Sequence, residues 1–347
     1  MSRPAPRVGE VDELLEEAAE VSRHFGRDAQ FSRAGGGNSS VKADRVLYIK
    51  PSGVSLASLT ADALMPLDMA PLLELIEGTP DALRSAGSET VMQVAMAARL
   101  RPDGQRRPSV ECLFHALIPR RFVLHTHPTI VNALCCARDA ARVAERLFGD
   151  AALWVPYVDP GLPLARAISE ARRQFERRTG REAPDIVLLQ NHGLIVAADD
   201  VSTIANASAE VVETIRPHLN RVRRAASSSS TPAPQSLSRP TSQTLIATLG
   251  PLLRAALATG TRLKVVGFDD SAAAVELAGT SDGRSLLLGG PLLPDQIVYT
   301  GSWPLWLDPP SIEDEPHFIQ AVRGALADHI RSVGAAPTII VVSGLGL

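Results

Sequence analysis

Apolar residues recur at helical spacing from Glu10 to about Phe25, at Val11, Leu14, Leu15, Ala18 and Val21, with acidic residues between them and Gly26 at the end. That pattern predicts an amphipathic opening helix. A strand-like stretch, Val46-Leu47-Tyr48-Ile49-Lys50, then runs into the turn residues Pro51-Ser52-Gly53. Between residues 88 and 100 apolar positions repeat behind Ser88, which suits the N-cap of a second helix. Pro108 or Ser109 opens a short helix that Pro119 stops, and within it Glu111 and His115 lie four apart and share a face. Two apolar, β-branched runs, one through Val123-Leu124-His125-Thr126-His127-Pro128 and one from Ile186 to Val196, read as strands. Asp199 or Asp200 then caps a long helix that continues to about Arg224.

Past that helix the periodicity lapses. Residues 225–236 are rich in Ser, Pro and Ala without a large apolar side chain, and read as a solvated linker that reaches residue 242. Periodicity then resumes: Leu245–Leu257 reads as helix, Leu263–Val266 and Ser285–Leu288 as strands, Glu313–Val333 as helix and Thr338–Val342 as a buried strand. The chain therefore divides into residues 1–224, the linker 225–242 and a smaller C-terminal α/β domain, 243–347. No chemistry is legible in that last part. Asp269, Asp270, Asp282 and Asp295 read as turn residues, and Trp303-Pro304-Leu305-Trp306 as packing. Ser343-Gly344-Leu345-Gly346-Leu347 follows a strand as a dinucleotide loop does, but is too short to be one, so nicotinamide binding is not expected.

The chemistry gathers in the first part. Side chains two apart on a strand share a face, so His125 and His127 present both imidazoles to one pocket, a half-site for a divalent ion such as zinc. A catalytic zinc needs a third protein ligand and an open position, and His192, followed by a turn-forming Gly193, is the candidate. A lone strand-end histidine is more often structural; three of them, two in H-x-H spacing, favour the metal. Beside a metal, Glu111 becomes a general acid/base and His115 its orienting partner or a further ligand. Upstream, Gly35-Gly36-Gly37-Asn38-Ser39-Ser40 frees the backbone for close approach, and Lys42 and Lys50 add positive charge, a combination that suits a phosphate or other oxyanion. It is neither a P-loop nor a dinucleotide fingerprint.

Bulk composition narrows the partners. With 35 basic and 38 acidic residues in 347, the formal net charge is −3, so no overall field argues for nucleic acid or an anionic membrane. No apolar run reaches membrane-spanning length. Cys112, Cys135 and Cys136 form no C-x-x-C pair, which fits a reduced, cytoplasmic chain.

Taken together and in order, Gly-Gly-Gly-Asn-Ser-Ser at 35–40, Ser52-Gly53, Ser109-x-Glu111-x-x-x-His115, His125-Thr126-His127-Pro128 and Asn191-His192-Gly193 resemble the class II aldolase/adducin family over roughly residues 10–220. Within it, the triple glycine, the short link from Glu111 to His125 and the later Gly-Pro-Leu-Leu-Pro-Asp resemble the aldolase portion of rhamnulose-1-phosphate aldolase/dehydrogenase proteins. The resemblance implies a three-layer α/β/α sandwich around a mainly antiparallel sheet. It implies zinc on His125, His127 and His192, Glu111 as acid/base, and a phosphate loop of Gly37, Asn38, Ser52, Gly53 and Ser109, to which the charge of Lys50 is added. The stand-alone aldolases have two serines before the glutamate; here Val110 replaces the second, which removes one phosphate hydroxyl.

The implied substrate is a small sugar, a ketose 1-phosphate, cleaved through a metal-stabilised enediolate, with Glu111 working best if burial raises its pKa toward neutrality. The family also implies a symmetric homotetramer. Two alternatives share these residues: epimerisation, decarboxylation or dehydration on the same metal, and a non-catalytic adducin-like scaffold.

Overall fold

The structure, a computed structural model, describes residues 8–78, 88–101, 106–228, 239–262, 264–308 and 312–347. The chain falls into two compact units, Met1–Arg224 and Ala225–Leu347.

In the first unit, α1 (Val8–Arg27) precedes a hairpin of β1 (Asn38–Ala43) and β2 (Val46–Ile49), then β3 (Met65–Asp68) and α2 (Met69–Glu77). There follow α3 (Ser88–Ala97), the short α4 (Cys112–Leu117), β4 (Phe122–Thr126), α5 (Thr129–Cys135), α6 (Ala140–Phe148) and β5 (Leu153–Val155). Helix α7 (Leu162–Thr179), β6 (Ile186–Leu189), β7 (Gly193–Ala198) and α8 (Val201–Ser228) complete it. The strands form one sheet in the order β3-β2-β1-β4-β7-β6-β5, antiparallel throughout except for the parallel pair β5 and β6.

Each sheet face has its own core, and alternation along the strands decides which residue joins which. Val123 of β4, Val187 and Leu189 of β6, and Ile195 and Ala197 of β7 pack with Leu72, Val91, Phe114 and Ile168 from α2, α3, α4 and α7. Their neighbours Phe122, Leu124, Leu188, Leu194 and Val196 pack with Leu14, Val131, Val143 and Ile204 from α1, α5, α6 and α8. Helices therefore cover both faces, which makes the expected three-layer α/β/α sandwich. The same alternation aims the chemistry. Burying one such aliphatic side chain contributes roughly 1.5–3 kcal/mol. A one-residue slip of β4 would exchange Phe122 and Leu124 with Val123, so the register is strongly specified. His125, two residues beyond Val123, is forced onto the face covered by α4.

The short helix starts later than Pro108 or Ser109: its first turn begins at Cys112 with Glu111 in the N-cap position. The second helix ends at Ala97 rather than Leu100. Of the expected linker, 225–228 and 239–242 are helical and 229–238 lie outside the described residues.

The second unit contains α9 (Arg239–Ala256), α10 (Ala272–Gly279), α11 (Ser281–Leu288), β8 (Leu305–Leu307), α12 (Glu315–Val333) and β9 (Ile340–Val342), with β8 and β9 paired in parallel. Its core joins Leu245, Leu249, Leu253, Leu305, Leu307, Phe318, Val322, Leu326 and Val342. Two expected strands are absent. Ser285–Leu288 lies in α11, whose N-cap Thr280 accepts a hydrogen bond from the Gly283 N–H, so local capping overrode the apolar run. Residues 264–266 form no strand and Val265 is 97% exposed, while residue 263 lies outside the described set. Leu305 packs inward, whereas Trp306 holds Asp308 through its indole N–H and Trp303 is 43% exposed. Among the described residues no helix is long and apolar enough to cross a membrane.

Candidate metal centre

Five loops meet at one end of the first unit's sheet. Because β4 runs antiparallel to β1 and β7, its last residues lie beside the beginnings of both: Asn38 pairs with His125, and Thr126 pairs with Leu194. Leu189 at the end of β6 faces Gly193 at the start of β7 across the three-residue turn 190–192, in which Asn191 adopts φ +52. The turn after β2 and the segment after β5 open at the same end.

His125, His127 and His192 converge here as a group that could hold a metal ion, their ligand atoms all within 4.8 Å of one another. His125 Nε2 lies 3.0 Å from His127 Nε2 and 3.3 Å from His192 Nε2. Four ligands placed tetrahedrally at zinc–nitrogen distances stand about 3.3 Å apart, so the spacing fits one shared ion. The tautomer fits as well. His125 Nδ1 lies 2.9 Å from the Leu194 carbonyl, which can only accept, so Nδ1 carries the proton and Nε2 presents its lone pair to the cluster. The His127 N–H donates to the Phe31 carbonyl at 3.0 Å, fixing the chain just after β4. Burial pushes the His125 pKa down to about 3, which keeps this imidazole neutral and able to ligate.

Glu111 stands against this trio. Its Oε1 is 3.3 Å from His192 Nε2 and 3.5 Å from His125 Nε2, a spacing that lets it share the ion or act on a molecule bound there. The Ser109 hydroxyl accepts from the Glu111 N–H at 3.2 Å and so orients the turn. Burial raises the carboxyl's pKa, while its coupling to the protonated forms of the neighbouring imidazoles, His125 foremost, and a hydrogen bond with His192 bring it below the ordinary range, so carboxylate and imidazoles lose their protons as one coupled group. The elevated value expected from burial alone is thus not found, and Glu111 is a carboxylate at neutral pH.

His115 does not join the metal group. Its ring, fully buried, stacks on Phe114 with centroids 4.6 Å apart, and Nδ1 pairs with the Ser40 hydroxyl at 2.7 Å. Phe114 in turn meets the edge of His125 at 5.5 Å, so His115 supports the floor of the site. Lys42 is also excluded: it is four residues along β1 from Asn38, roughly 13 Å away by strand rise, and donates to the Arg120 carbonyl at 2.9 Å.

The expected anion loop is only partly assembled around the imidazoles. Gly37, φ +84, lets the backbone approach the His125 carbonyl, which an added Cβ would meet at 2.7 Å. Buried Asn38 follows it, its Oδ1 accepting from the Ser39 N–H. Ser52 and Gly53 are exposed, and a bridge between Pro51 and Pro108 brings their turn beside Ser109. The Ser52 N–H is already given to the Arg107 carbonyl, so an anion there would be met by the Ser52 hydroxyl. The buried Lys50 ammonium donates to the Val54 carbonyl at 2.7 Å, bracing this turn.

Gly193 carries more than the sequence suggested. The positive φ in its turn belongs to Asn191. At Gly193 the constraint is space: a Cβ would lie 2.5 Å from the Thr126 carbonyl and 2.8 Å from His127 Cδ2. The pattern Asn-His-Gly marks the residue, but only the packing of β7 against the imidazoles gives the reason.

The buried imidazole has a consequence for acid stability. An unfolded histidine titrates near 6.5 and His125 near 3, so between these values the unfolded chain binds more protons and stability must fall as pH falls. Chelator-treated protein should lose on the order of a few kcal/mol between pH 6.5 and 4 by urea titration. A flat denaturation midpoint over that window would contradict a neutral, buried His125.

The family model described as Class II Aldolase and Adducin N-terminal domain matches residues 16–219. A Bacillus subtilis (strain 168) protein named uncharacterized oxidoreductase YuxG is 24% identical over 366 residues, covering 98% of this chain and 51% of its own length, so the chain spans about half of that curated relative. Among solved structures, the N-terminal class II aldolase domain of a conserved protein from Thermoplasma acidophilum is 21% identical, covers 63% of this chain and 97% of its own, and superposes with a TM-score of 0.50. L-fuculose 1-phosphate aldolase from Glaciozyma antarctica PI12 is 16% identical, with 62% and 77% covered and a TM-score of 0.41. The family match spans more than half of the chain and every strand that carries the imidazoles, and the chain belongs to the class II aldolase and adducin N-terminal domain family.

Proposed function

We propose that this chain is a zinc-dependent aldolase acting on a ketose 1-phosphate, with His125, His127 and His192 holding the ion. The observation that carries the reading is the convergence of three imidazole nitrogens with the Glu111 carboxylate beside two of them, 3.3 and 3.5 Å away. A divalent ion held there supplies Lewis-acid stabilisation of the negative charge that develops beside a carbonyl when a carbon–carbon bond is made or broken.

The chain's own residues supply the rest. As a carboxylate, Glu111 takes the proton from the carbon that becomes nucleophilic, and returns it in the cleavage direction. Ser109 keeps it aimed at the imidazoles. Asn38, the hydroxyls of Ser52 and Ser109 and the backbone at Gly37 and Gly53 take the phosphate, with Lys50 bracing their turn. Remote binding there orients the reacting carbons. Val110, where stand-alone aldolases have a serine, leaves this anion site one hydroxyl short.

The test has two parts: metal content of the purified protein, then release of dihydroxyacetone phosphate from a panel of ketose 1-phosphates. About one zinc per chain and cleavage of at least one ketose are expected. Metal without cleavage of any member would overturn the aldolase in favour of another reaction on the same ion, and failure to bind metal would leave a scaffold.

A further inference from the structure

The imidazole cluster sits in the middle of the sheet end, on β4 and β7, and it has two flanks. The glycine and serine turns belong to β1 and β2 on one side. On the other side β5 ends at Val155, and residues 156–161 run from it to α7.

Two contacts bracket that segment against the site. The Tyr157 N–H donates to Gln190 Oε1 at 3.1 Å, two residues before His192. At the other end Gly161, φ +96, lies beside the residue preceding Glu111: an added Cβ would be in ordinary contact with Val110 Cβ at 3.8 Å. The segment therefore spans from the loop that delivers His192 to the turn that delivers Glu111. Between these anchors Tyr157 is 49% exposed, and its hydroxyl donates to the exposed carboxylate of Asp159 at 3.3 Å. An exposed phenol–carboxylate pair adds little to stability, since both groups are as well satisfied by water. Neither side chain is part of either core of this unit.

We propose that Tyr157 and Asp159 are specificity-determining residues that read hydroxyl groups on the end of the substrate remote from its phosphate, the aldehyde half of the ketose. The inference rests on the aldolase reading. Its chemistry is that of the pair: a carboxylate accepts from a substrate O–H, and a phenol can both give a hydrogen bond and accept one, so together they match neighbouring hydroxyls. The distances suit a short sugar. At a strand spacing of about 4.8 Å, β5 stands two steps, about 10 Å, from β7. A tyrosine side chain and a chain of a few carbons span that gap, with the phosphate end directed to the opposite flank.

The experiment runs the reaction toward aldol addition with dihydroxyacetone phosphate and three three-carbon aldehydes: glyceraldehyde, lactaldehyde and propanal, which differ in hydroxyl number. Wild type should favour the hydroxylated aldehydes. Tyr157→Phe and Asp159→Ala should each reduce the glyceraldehyde-to-propanal ratio of kcat/KM about tenfold, chiefly through KM for glyceraldehyde, as expected for one lost hydrogen bond. Melting temperatures check that both variants are folded, and both sites are exposed. An active wild type with that ratio unchanged in both variants overturns the role of Tyr157 and Asp159 alone. A wild type that makes no product with any aldehyde overturns that role together with the aldolase.

Discussion

Glu111→Gln should bind metal as the wild type does and lose turnover by a factor of 10²–10⁴, the usual range for removing a positioned acid/base. The substitution keeps the side chain's length and its seat above Ser109 while removing its ability to take a proton. The two other titratable side chains nearest it in the first unit's core are already engaged. His115, four residues along, is committed to Ser40 and Phe114 beneath the site, and the ammonium of Lys50 is committed to the Val54 carbonyl. The readouts are metal stoichiometry and single-turnover cleavage. A Gln variant that retains wild-type turnover with metal bound would remove Glu111 from the mechanism. One that loses the metal would make it a ligand first.

Gly193→Ala should weaken metal binding by ten- to a hundredfold and destabilise the fold by about 1–3 kcal/mol. The new methyl would meet the Thr126 carbonyl at 2.5 Å, His127 Cδ2 at 2.8 Å and His125 Cε1 at 3.3 Å. Thr126 cannot retreat, because it is paired with Leu194 in the middle of the sheet. The start of β7 must therefore shift, and the two imidazoles that the methyl meets, both proposed ligands, are displaced with it. Gly180→Ala is the control. That glycine caps α7 at φ +68 with nothing within 4 Å of an added Cβ, so its substitution should cost about 1 kcal/mol in backbone strain and leave the metal alone. Zinc titration and thermal melting of both variants separate the two effects. Equal zinc affinity in Gly193→Ala and wild type would show that the close approach does not shape the site.

Much of this site was legible before folding because its parts are local. H-x-H on an apolar run implies two imidazoles on one face; β4 carries His125 and ends at Thr126, and His127, one residue beyond, still brings its ring to within 3.0 Å of His125. Glu111 and Ser109 are close in sequence and remain so in space. The errors came where a local signal was ambiguous or a distant partner decided. Ser285–Leu288 is apolar enough for a strand, but Thr280 caps it into a helix. Lys42 and Lys50 looked equivalent as charges, yet eight residues and a hairpin separate them, and only Lys50 reaches the site end of the sheet.

By itself the sequence determined which residue types are present, their alternation along each strand and the amphipathic period of the longer helices, while the three-layer arrangement came from the family resemblance. The alternation and the amphipathic period follow from side-chain spacing and burial, which are properties of a few consecutive residues. Only the tertiary structure decided that segments 67 residues apart place His125 and His192 at contact distance. The strand order likewise set the glycine and serine turns on one flank and Tyr157 on the other, and made Gly193 a matter of space rather than of turn conformation. Strand order and register arise from pairing between remote stretches, and the energy that selects them is spread over two cores rather than written in any one motif.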